Sequence, residues 1–87
     1  MTTHIFDAQN RHISTGRNLA IVFAHARKRG GVARITVTQI WGNQADVTVW
    51  FVDGARGRTV FRNYSHACEW ARDRSALSPR VSWFSGC

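Results

Sequence analysis

Acidic side chains are scarce in this chain. Four aspartates and one glutamate stand against eleven arginines and one lysine in 87 residues, a formal charge of +7 at neutral pH. General acid–base chemistry by paired carboxylates has little to draw on, and no two acids fall at a diagnostic spacing. Cysteine is down to two residues, Cys68 and Cys87, too few for a disulfide scaffold. Cys68 lies between Ala67 and Ala71 on a helical pattern, where a buried, inert thiol is expected; Cys87 is expected to be exposed. No apolar run approaches the roughly 18 residues of a membrane-spanning helix. The opening Met1-Thr2-Thr3-His4 has neither the basic flank nor the apolar stretch of a signal peptide, so a cytosolic protein is expected. A glycine-rich phosphate loop and a nucleophile elbow are missing as well. His66, Cys68 and Glu69 are close in sequence, but helix positions two apart point in different directions. His4, His12 and His25 show no metal-ligand spacing. The expectation is a binding protein that is not an enzyme and carries no cofactor or metal.

What is present is arginine and tryptophan on a folding chain. Apolar residues make up 44% and four residues are tryptophan, which places the sequence among globular domains and not among basic disordered tails. At this length it forms one domain, residues 1–87, with one modest core. A surplus of +7 repels other copies of the chain and attracts polyanions or acidic protein faces. The planar guanidinium suits phosphate and carboxylate better than an ammonium does.

The pattern along the chain predicts an α+β fold. Residues 2–14 read as a hairpin around Asp7-Ala8-Gln9-Asn10. Ser14 and Thr15 offer helix caps. From Arg17 to Arg29, Leu19, Val22, Phe23 and Ala26 fall on one helical face, and Gly30-Gly31 ends it. Three alternating stretches follow, Val32–Ile40, Asp46–Val52 and Arg58–Arg62, the last two joined by a loop over Asp53–Gly57. Ser65 caps a second helix to about Ser75, with Tyr64, Ala67, Cys68 and Ala71 as its inner stripe and Trp70 at its border. Pro79 blocks further helix, and Val81–Phe84 adds a short edge strand. The expected architecture is an antiparallel sheet of three to five strands with two helices packed on one face.

Strand parity names the candidate binding residues. The sheet face turned from the helices would show Arg34, Thr36, Thr38, Thr48, Trp50, Arg58 and Arg62. Arginines around a tryptophan can follow a phosphate backbone while a base stacks on the indole; alternatively, this is an ordinary solvated face with Trp50 covered by the N-terminal hairpin. Arg27-Lys28-Arg29 ends the first helix, where cations complement the helix dipole and need no ligand. Together with Arg34 and the hairpin residues Arg56 and Arg58 they could form one basic patch. Trp41, beside a turn, either packs on a neighbouring loop or anchors a protein partner.

Two resemblances add to this reading. The order helix, three strands, helix over residues 17–75 resembles the double-stranded RNA-binding domain. The lysine-rich cluster of that family is replaced here by Ser65-His66-Ala67-Cys68-Glu69-Trp70, which leaves a match of topology alone. The run Val47-Thr48-Val49-Trp50-Phe51-Val52-Asp53-Gly54, with Thr59-Val60-Phe61 and a capped segment Tyr64–Arg72 containing Glu69-Trp70, resembles small phage-encoded proteins of the anti-CRISPR type. That resemblance implies a phage or mobile-element accessory protein that blocks a nucleoprotein defence complex in the host cytosol. Its basic charge excludes mimicry of DNA, so the implied partner is an acidic protein surface of that complex, or DNA or RNA engaged directly. A monomer or a dimer is expected, and no membrane partner.

Overall fold

The computed structural model describes residues 2–17 and 19–73, together with the backbone of 81–83. Thr3–Phe6 (β1) and His12–Gly16 (β2) form a hairpin, followed by a helix over Ala20–Lys28 (α1). Val32–Gln39 (β3), Ala45–Phe51 (β4) and Arg56–Phe61 (β5) make an antiparallel meander, and Tyr64–Asp73 (α2) and Val81–Trp83 (β6) complete the order. The sheet runs β2-β1-β5-β4-β3-β6. Five of its strands are antiparallel, as expected, and β6 adds a parallel edge beside β3, one strand beyond the expected number. Phe84, assigned to the last strand by the sequence, and Pro79 lie outside the described residues.

The alternation sorts the strands into two faces. Ile5, Ile35, Val37, Val47, Val49, Phe51 and Phe61 turn inward and form the core with Val22, Ala26, Ala67 and Ala71 from the helices. The α1 helix approaches closely over β1 and β5 because Gly57 has no side chain: a Cβ there would stand 3.0 Å from a Val22 methyl and 3.1 Å from the Ile5 terminus. Trp70 on α2 completes the core edge, its ring 6.2 Å from Phe23 and 6.0 Å from Phe61. The helix ends where glycine permits it. Gly30 and Gly31 both take positive φ, and the Gly31 amide donates to the Ala26 carbonyl at 2.8 Å.

Three local expectations are corrected. Ser14 and Thr15 are not caps but members of β2, and α1 starts later, with Leu19 at its N-cap and no side-chain cap bond. The cap of α2 is Asn63 and not Ser65: its Oδ1 accepts from the amides of Ser65 (2.9 Å) and His66 (3.3 Å). Cys68 is 5% exposed as expected for a core residue, but it is disulfide-bonded and so is no free thiol. The other cysteine of the sequence, Cys87, lies outside the described residues. No described helix is long and apolar enough to cross a membrane.

Candidate nucleic-acid interface

The outer sheet face carries a row of residues that no single strand reveals. The register sets Arg34 opposite Trp50, Trp50 opposite Arg56, Arg56 opposite Phe6, and Phe6 opposite His12. Cation and ring therefore alternate over the first four positions, and His12 adds a second ring beside Phe6; the row crosses five adjacent strands, about 19 Å at the usual inter-strand spacing. The Arg56 guanidinium lies over both neighbours, 5.3 Å from the Trp50 ring and 5.4 Å from the Phe6 ring, and also bonds Asn10 Oδ1 in the hairpin turn. Phe6 in turn meets His12 edge-on at 5.6 Å. Such cation–π contacts contribute about 0.5–1 kcal/mol each at exposed sites, enough to hold the planar groups in order.

A second row runs parallel to the first: Thr36, Thr48, Arg58, His4 and Thr15. Arg58 is drawn toward β4, where its guanidinium bonds Asp46 Oδ2 at 2.5 and 2.6 Å. Thr2, His4, Phe6, Arg58, Thr59 and Val60 line a cavity of about 290 Å³ at the second row. Trp50 is half-buried, and its Nε1 has no hydrogen-bond partner among the described residues.

The expected site residues separate into groups. Arg34, Trp50, Arg56 and Arg58 share the outer face. Arg56 belongs to β5 and not to the hairpin loop. The N-terminal hairpin does not cover Trp50: β1 pairs with β5 and extends the platform instead. Arg62 stands exposed just past β5, where it lines a separate cavity of about 420 Å³ with Asn63 and His66. Arg27 and Lys28 sit in the last turn of α1 and Arg29 at its C-cap, and the helix packs on the opposite side of the sheet from the row, so the single continuous patch does not form. Arg29 is tied to Asp53 in the β4–β5 turn at 2.8 Å. The amide of Ala55 foremost, and the Arg29 guanidinium after it, hold the Asp53 carboxyl below its usual range. Trp41 does not pack on a loop but is 87% exposed. Its turn is fixed from both sides, since Gln44 N donates to Trp41 O at 3.2 Å and Tyr64 N to Asn43 O at 2.7 Å.

Sequence reasoning missed Phe6, His4 and His12. The signal for Phe6 was present: if Ile5 is core, period-2 alternation sends Phe6 to the outer face. The pair Ile5-Phe6 alone does not say which of the two is inside. No known family model matches the chain, and neither the curated proteins nor the solved structures contain a match.

Proposed function

We propose that this chain is a non-enzymatic nucleic-acid-binding module that receives a single strand on its outer sheet face. The observation that carries the reading is the row Arg34–Trp50–Arg56–Phe6–His12. Bases stack on aromatic rings and guanidinium planes at about 1–3 kcal/mol each, and arginine meets the phosphates between them. The width of the row suits about four nucleotides, the lower end of site sizes for sheet-based binders. A flat, open face of this kind favours unpaired bases over a duplex. The partner is then DNA or RNA in the host cytosol, where the Cys68 disulfide is subject to reduction.

A second reading rests on Trp41. An 87% exposed tryptophan on a hydrogen-bonded turn, with Ile40 beside it at 41%, is a suitable anchor on an acidic protein surface. In that reading the chain is an anti-CRISPR-like blocker of a host nucleoprotein complex, with the sheet row on the nucleic acid and Trp41 on the protein.

Fluorescence anisotropy of labelled single- and double-stranded DNA and RNA, at about 50 and 200 mM salt, tests the sheet-face reading. Single strands should bind with log K falling by about 0.7 per phosphate contacted for each decade of salt. Preference for duplex, or no binding at the lower salt, overturns the sheet-face reading. Loss of binding in Trp41→Ala with full retention in Trp50→Ala would move the site to the turn.

A further inference from the structure

The β1–β2 hairpin carries a polar cluster that shares only His12 with the binding row. His4 Nδ1 lies 3.3 Å from His12 Nε2, His12 Nε2 lies 2.7 Å from Thr15 Oγ1, and Thr15 Oγ1 lies 3.3 Å from His4 Nδ1. A β-bulge makes this possible. Ile5 pairs with Ser14 but Phe6 pairs with His12, so Ile13 is the extra residue. Without it, alternation would send His12 to the inner face, away from His4 and Thr15.

Two chemistries fit a histidine beside a hydroxyl. In a nucleophile relay the imidazole takes the hydroxyl proton through one nitrogen and is oriented through the other. Here both contacts of His12 use the same nitrogen, Nε2, so there is no relay through the ring. Three donor atoms instead converge on one point, which is the arrangement of a chelate. Tetrahedral ligands at about 2.0–2.1 Å from a zinc ion stand about 3.3–3.4 Å apart, the separation of His4 Nδ1 from both partners. The shorter side is a hydrogen bond that an ion would replace.

We propose that His4 Nδ1, His12 Nε2 and Thr15 Oγ1 bind a late first-row transition ion, copper(II) most tightly and zinc(II) less so. Imidazole nitrogen selects these ions over magnesium and calcium, and the order between them follows the general stability series. No cluster of three or more His, Cys, Asp or Glu exists among the described residues, so the third donor is a hydroxyl and the site is of modest strength. The three donors lie at an exposed surface, which leaves a path for entry and an open coordination position. The cation facing His4 across the strands is Arg58, and its guanidinium is held by Asp46 on the far side. Phe6 braces both imidazoles, 5.6 Å from the His12 ring and 6.3 Å from that of His4.

Calorimetric titration of the tag-free protein with zinc(II) and with copper(II), together with copper EPR, tests the site. One ion per chain is expected, with two nitrogen ligands in the EPR signal and a melting temperature that rises with zinc. His4→Ala and His12→Gln should each weaken binding by about tenfold or more while the far-UV spectrum stays native. His25→Ala and His66→Ala should leave it unchanged. The proposal is overturned by an absence of binding up to millimolar ion, or by binding that survives loss of both His4 and His12.

Discussion

Replacing Arg56 by glutamine removes the centre of the outer row, and its cost follows from the contacts on either side. Two cation–π contacts, at 5.3 and 5.4 Å, contribute about 0.5–1 kcal/mol each. The bond to Asn10 adds about 0.5–1.5 kcal/mol. Glutamine can regain part of the packing and part of that bond, so a net loss of about 1–2 kcal/mol is expected. In a domain of this size each kcal/mol moves the melting temperature by about 4–8 °C. A drop of roughly 5–15 °C in a circular-dichroism melt should result. Arg17→Gln, an exposed substitution outside the row, is the control and should change stability by no more than about 0.5 kcal/mol. Arg56→Lys keeps the charge but loses the planar fork, and should fall between glutamine and wild type. If Arg56→Gln melts with the Arg17→Gln control, the guanidinium is not held between the rings, and the ordered platform that supports the functional reading does not exist in solution.

Two further outcomes follow from the inner face and from α1. Gly57→Ala places a Cβ 3.0 Å from Val22 and should destabilise by about 1–3 kcal/mol through overpacking; Gly57→Ala with Val22→Ala should recover part of that loss, and simple additivity of the two would show that the contact is not the cause. Burial first, and then the charges of Arg29 and Lys28, lower the pKa of His25 from 6.5. The unfolded chain therefore takes up the proton first: stability is full above about pH 6.5 and falls as the pH drops toward the folded value. Urea midpoints at about pH 7.5 and 5.5 should show this fall, and a slope unchanged in His25→Gln would assign it elsewhere.

The three central strands were legible because each has one dry and one wet face, and alternation follows directly from that condition. Val47, Val49 and Phe51 against Thr48 and Trp50 leave no second register. The inner stripes of both helices were readable on the same ground. What the sequence did not show is how separate segments meet. Nothing local says that β1 joins β5, so Phe6 and Arg56 could not be placed side by side from residues 50 apart. The bulge at Ile13 is invisible to periodicity, and with it went the meeting of His4, His12 and Thr15. Thr15 has good capping chemistry, but its backbone is claimed by the ladder opposite His4. Asn63 and Ser65 are both competent caps, and the chain turns into the helix at the earlier of the two. Cys68 was read by its apolar neighbours, and burial alone does not distinguish a thiol from a disulfide.

The pairing of β1 with β5 also fixes when the binding surface comes into being. The β3–β4–β5 meander and α2 close through short loops and can assemble from neighbouring sequence. Thr3, by contrast, must find Thr59 across more than half of the chain, and such long closures are slow and late. Arg56 waits on β5 and Trp50 on β4 until that strand arrives with Phe6. During synthesis the hairpin emerges before its partner strand and cannot dock until residue 59 has left the ribosome. A partly made or partly folded chain thus holds the charge of the row without its order, and selective recognition begins only with the completed topology.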